Sequence, residues 1–189
     1  GARVLSMSLG LRGEVPPAYL RNDRYNAEAI RAAGVLLVNS AGNSHADFDP
    51  PLEIGMTARI PSPWQALPVP PRSTGGVVSV GGTAHRGEEI WGPSSRGPAT
   101  WAQVAPWEDW PYDPGPGLIK PDLVAPAEGI ASTLPGGHYS GETWSGTSMA
   151  TPHVAGTAAL MLARNPTLSP AGLDSLLQQT ARDGGAPGK

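Results

Sequence analysis

The chain has 189 residues, a formal charge of −3, only 13 Lys and Arg, and no Cys. Its length fits one domain. The sparse, scattered basic residues exclude a nucleic-acid-binding stripe, no apolar run reaches the length of a membrane span, and the lack of Cys excludes disulfides.

The elements alternate between strand and helix. Val4 to Ser8 reads as a short buried strand, followed by a loop with Pro16-Pro17. Asn22 or Asp23 can cap a helix to about Ala33, with Gly34 as its stop. Val35 to Ser40 is a continuous apolar strand of the kind covered on both faces. Strand, helix, strand predicts a βαβ unit and a parallel sheet. From Ser44 to Gly75 no regular pattern holds, and a loop of that length reads as functional or as an insertion. Val77 to Gly81 is the next strand, and Ile90 to Ser95 another candidate. A second irregular stretch, Pro98 to Gly117, carries Trp101, Trp107 and Trp110; these rings are expected to pin the loop to the body, or else to form a sugar- or protein-binding surface. Leu123 to Ala125 and Ile130 to Thr133 look like short strands, and His138 to Trp144 like a hairpin arm. Two helices follow, Thr147 to Arg164 and Ser169 to Ala181, the second with a Ser cap and Pro at its first position. No repeat or domain boundary interrupts the pattern.

The segment Gly146-Thr147-Ser148-Met149-Ala150-Thr151-Pro152-His153-Val154-Ala155-Gly156 carries the chemistry. It places a Ser at the start of a helix, after a Gly that permits a tight turn. Unpaired N–H groups and a partial positive charge gather at such an end, where an oxyanion forming beside Ser148 would be stabilised. The same residues also fit an ordinary helix cap.

The whole string closely resembles the serine-nucleophile signature of the subtilisin-like serine proteases, the subtilases. Further matches follow in that family's order. Val4-Leu5-Ser6-Met7-Ser8-Leu9-Gly10 is similar to the strand whose end forms one wall of the S1 pocket and pairs with substrate backbone. Asn39-Ser40-Ala41-Gly42-Asn43 resembles the opposite wall. Ser94-Ser95-Arg96-Gly97-Pro98 and Lys120-Pro121-Asp122-Leu123-Val124-Ala125-Pro126 match two structural segments. The resemblance implies Ser148 as acylated nucleophile, Asn43 as oxyanion donor, and Ser8, Leu9, Gly10, Ala41 and Gly42 as the substrate-binding walls. Apart from the family, an Asn after Gly at a strand end is a turn residue. The implied fold is α/β, a subtilisin-like three-layer sandwich on a mostly parallel sheet, incomplete on its N-terminal side. The implied activity is a serine endopeptidase acting on peptides or proteins, secreted or on the cell surface of a bacterium, with no required cofactor.

A serine nucleophile needs a base, and the base an orienting acid. In subtilases these lie before the first strand seen here, in Asp-Ser/Thr-Gly and His-Gly-Thr-His strings, and neither string occurs in this chain. His45, His85 and His138 read as solvated loop residues. His153, five positions after Ser148 on one helix, faces elsewhere. Residues 1–189 are therefore expected to be the nucleophile- and oxyanion-bearing part of a catalytic domain, trimmed at both ends and inactive alone. An exposed sheet edge would then recruit the missing half or a second copy. The alternative is a non-catalytic protein-binding module on the same scaffold. Asp47, Asp49 and Glu53 are a candidate structural calcium site, as oxygen ligands within a loop.

Overall fold

Four strands with apolar cores pair side by side in the computed structural model, which describes residues 1–50, 52–62, 76–85, 87–99 and 118–184. They are β1 (Val4–Met7), β2 (Leu36–Ser40), β3 (Val77–Thr83) and β4 (Leu123–Pro126), in the order β1-β2-β3-β4 with every pair parallel. Helix α1 (Pro17–Ala32) links β1 to β2. A small antiparallel hairpin, β5 (Thr133–Leu134) and β6 (His138–Tyr139), precedes α2 (Thr147–Arg164) and α3 (Pro170–Thr180).

Side chains of a strand alternate between faces, and both faces of β2 are covered. Leu36 and Val38 join Val78, Val80, Ala150, Val154 and Leu173 in one buried cluster beneath α2 and α3. Leu37 joins Ala27, Ile54, Ile60 and Val77 in a second cluster beneath α1 and the 3-10 turn Thr57–Arg59. The result is three layers, as expected for a parallel sheet. The small residues Ala150, Ala155 and Ala158 let α2 lie close across the strands.

Helix α1 starts six residues before the expected cap. Pro17 occupies the first helical position, where its fixed φ suits the helix and its missing N–H is no loss, so Asn22 and Asp23 lie inside the helix. Its far end follows expectation. Gly34 adopts φ 80°, Val35 N–H donates to Ile30 O at 3.2 Å, and Gly34 N–H donates to Arg31 O at 2.9 Å, a Schellman stop that needs glycine. Residues 90–95 do not form a strand. Ile90 makes an isolated bridge to Thr83, and the chain then turns, Ser94 N–H donating to Trp91 O. Trp101, Trp107 and Trp110 lie outside the described residues, as do residues 63–75 of the loop expected from Ser44 to Gly75.

Asp23 contributes a pH dependence. Burial raises its carboxyl above the ordinary 3.8, and a hydrogen bond from Thr57 partly offsets this. Its Oδ2 is buried without a partner. A folded pKa above the unfolded one lowers stability as pH rises through that window, and the loss persists at neutral pH. Asp23→Asn is therefore expected to raise the melting temperature at pH near 7. The gain should vanish below the ordinary carboxyl value of about 3.9. Thermal melts across this range check it; a variant less stable than the parent at neutral pH would contradict it.

The two sheet edges differ from the covered interior. Leu5 on β1 is 38% exposed and Val124 on β4 is 43% exposed. On α2 the face carrying Pro152, His153, Gly156 and Leu160 is open, with Leu160 at 74%. No described helix is long and apolar enough to cross a membrane.

Candidate active site

Parallel strands present their carboxyl ends on one side of the sheet, and there the chain brings three segments together: the end of β1, the end of β2, and the start of α2. They surround a hollow of about 190 Å³. Ser8, Leu9 and Gly10 form one side, Ser40, Gly42 and Asn43 the other, and Thr147 and Ser148 close one end. Arg12 and Gly55 complete the lining, the Gly55 N–H donating to Ala41 O at 2.8 Å. Ala41, expected within the wall, stands behind it: it is fully buried, and its own N–H donates to Val80 O. A larger hollow of about 800 Å³ follows the open edge of β4. It contains none of the residues of the signature string.

The turn into α2 depends on Gly146. Its φ is 155°, a region that side chains rarely adopt, and a Cβ there would stand 3.2 Å from Asn43 Nδ2. Thr147, fully buried, is the joint. Its N–H donates to Asn43 Oδ1 at 2.9 Å, its hydroxyl donates to the same oxygen at 2.9 Å, and Gly42 N–H donates to its Oγ1 at 3.1 Å. Asn43, in the loop after β2, thus caps the start of α2. A backbone N–H can only donate, so the Asn43 oxygen must face Thr147, which turns the amide nitrogen away from it. Among the described residues, neither Asn43 Nδ2 nor the Ser148 N–H has a hydrogen-bond partner. Two donors are thus left free beside the Ser148 side chain.

Ser8 is tied to the same helix for a legible reason. Pro152 lies inside α2 and has no N–H to give the carbonyl four residues back. That carbonyl belongs to Ser148, and the Ser8 hydroxyl donates to it at 2.7 Å. The wall is held from below by Asn39, whose Nδ2 donates to Met7 O and Leu9 O at 3.0 and 2.9 Å. Sequence reading missed these positioning roles of Thr147, Ser8 and Asn39. Pro152, four positions after Ser148, is the signal for the second.

No histidine hydrogen-bonds Ser148. His153 Nδ1 bonds Met149 O on its own helix, and His45 Nδ1 bonds Glu53 Oε2 at 3.0 Å. His85 lies against Glu128 and Glu142, and His138 sits on the small hairpin. Glu53 is buried and also accepts from Arg96 N–H, while Asp47 faces Arg12. Asp47, Asp49 and Glu53 do not converge, and no cluster of three or more metal-ligating side chains occurs among the described residues.

The sequence model of the subtilase family matches residues 1–189. The chain belongs to the subtilase family. It is 53% identical over 60 residues to subtilisin from Bacillus pumilus, covering 32% of this chain and 21% of that protein. It is 34% identical over 150 residues to alkaline elastase YaB from Bacillus sp. (strain YaB), covering 79% of this chain and 28% of the relative. Among solved structures, Sphericase superposes with a TM-score of 0.63 at 28% identity, over 95% of this chain and 49% of that one. S41 Psychrophilic Protease gives 0.62 at 27%, over 94% and 48%. The subtilase chain thus spans about half the length of these structures and a smaller share of the curated relatives. The expected α/β fold and the serine-protease family both hold.

Proposed function

We propose that this chain is the nucleophile- and oxyanion-bearing part of a subtilisin-type serine endopeptidase. Ser148 Oγ attacks the carbonyl carbon of a peptide bond, and the oxyanion of the adduct is held by the Ser148 N–H and Asn43 Nδ2. Collapse of the adduct expels the amine and leaves an acyl-enzyme, which water hydrolyses. The proton of Ser148 needs a base, and the leaving amine an acid. No described side chain reaches Ser148 to do either. The remaining part of a subtilase domain is the proposed source, seated on the open edge of β1 and the open face of α2. Alone, the chain is expected to have little or no activity. A secreted or cell-surface bacterial setting belongs to the same reading, supported by kinship with the Bacillus proteins.

The observation that carries this reading is the pair of free N–H donors beside Ser148, one of them oriented by Thr147. A fluorophosphonate probe tests it. The isolated chain is expected to label slowly or not at all. Joined to the segment that precedes it in the parent, it should label rapidly, and Ser148→Ala should abolish the signal. Rapid labelling of the isolated chain would mean that it carries its own base. Silence of the joined protein would favour the non-catalytic binding module.

A further inference from the structure

The walls of the hollow beside Ser148 are backbone and small or uncharged side chains, with one exception. Arg12 reaches it from the loop after β1 and is the single charged residue in the lining. Its guanidinium is weakly engaged. Nη1 alone donates, to Ser44 Oγ and to Asp47 Oδ2, both at 3.3 Å. Arg12 and Asp47 are exposed, at 58% and 56%, and a pair of that kind holds its partners loosely. Nε and Nη2 have no partner among the described residues. A guanidinium presents its donors as a planar fork that matches a carboxylate.

We propose that Arg12 selects substrates with an acidic side chain, Glu or Asp, at the residue on the amino side of the bond to be cut. The proposal rests on the reading of residues 8–10 on one side, and Ser40, Gly42 and Asn43 on the other, as the walls of the substrate pocket. The hollow of about 190 Å³ takes one side chain, and its floor is closed where Gly10 meets Gly55, a Cβ on Gly10 standing 3.7 Å from the Gly55 Cα. An incoming carboxylate would meet the free side of the Arg12 fork in a partly enclosed space, and Asp47 would compete with it for the cation.

The test uses C-terminal amides of acetyl-Ala-Ala-Pro-Glu, -Gln and -Lys at millimolar concentration, followed by amide chemical shifts in the intact chain. Glu and Gln have the same shape, so their ratio isolates charge. The Glu peptide is expected to bind about three- to tenfold tighter than the Gln peptide, with Lys weakest. The ratio should fall as salt rises. In Arg12→Gln it should drop to about one; in Asp47→Asn, which removes the competitor, it should rise. Both residues are exposed, so unchanged spectra elsewhere will establish that the variants fold. Equal binding of Glu and Gln, or an unaltered ratio in Arg12→Gln, overturns the selection by Arg12 and leaves the pocket standing. No shift at residues 8–10 and 42–43 with any peptide overturns the pocket reading and this proposal with it.

Discussion

Asn43→Asp is expected to keep the fold and lose catalysis. The acceptor oxygen survives, so the bonds from Thr147 N–H and Thr147 Oγ1 persist. A negative charge at the start of α2 is also favourable there. Stability should therefore move by no more than about 0.5 kcal/mol, the range of an ordinary surface change. The carboxylate has no N–H to give, however, and its second oxygen would face the forming oxyanion. Turnover of a chromogenic peptide by the complete enzyme should fall by at least about 10²–10³, the loss seen when such a donor is removed. Asn43→Ala separates the two roles: it should lose similar activity and, in addition, about 0.5–2 kcal/mol of stability for the lost cap. An Asn43→Asp enzyme with full turnover would mean that Asn43 is only the clamp on Thr147, the turn residue of the plainer sequence reading.

That case marks what was legible in the chain. The signature string placed Ser148 at the head of a helix, and the bounds of α2 are those expected. Apolar runs located the strands because burial on both faces favours apolar residues at successive positions, as in Leu36-Leu37-Val38 of the fully buried β2. What stayed hidden depends on groups far apart in sequence. Asn43 and Thr147 are separated by 104 positions, and Ser8 and Ser148 by 140; no local pattern announces either bond. Ala41 was assigned to the wall from its place in a string, but a strand turns alternate residues inward, and its neighbours Ser40 and Gly42 line the pocket instead. The early start of α1 was lost to treating Pro16-Pro17 as loop punctuation, when Pro is equally at home in a first helical turn. Arg12 drew no attention because its charge acquires meaning only from the uncharged lining around it.

The segment after residue 117 matched the family only as a structural string, and its burial gives it a measurable weight. Lys120 has a side chain with no exposure, and Asp122 is at 9%. Lys120 Nζ donates to Asp122 Oδ2 at 2.7 Å and to Val77 O at 3.3 Å. The same carboxylate oxygen accepts from Ser79 N–H and Ser79 Oγ at 2.7 and 3.0 Å. An ion pair removed from water adds little over a well-packed apolar pair, yet removing one member leaves a buried charge uncompensated. Asp122→Asn keeps the size and an acceptor but strands the ammonium, so it should cost about 3–5 kcal/mol. Lys120→Met should cost less, because the Asp122 carboxylate keeps both Ser79 donors. The double substitution should recover much of the Asp122→Asn loss, a coupling that urea melts of the four proteins would measure. Single substitutions that each cost under about 1 kcal/mol, adding without coupling, would contradict it. The consequence reaches the site. Asp122 joins the start of β4 to β3 through Ser79, and the ends of these strands carry Ala127, whose N–H donates to Thr83 O and whose carbonyl accepts the Gly146 N–H at 2.7 Å. Loosening that pair therefore loosens the turn that aims Ser148, and activity of the complete enzyme should fall with stability in this series even though none of the substituted residues lines the hollow beside Ser148.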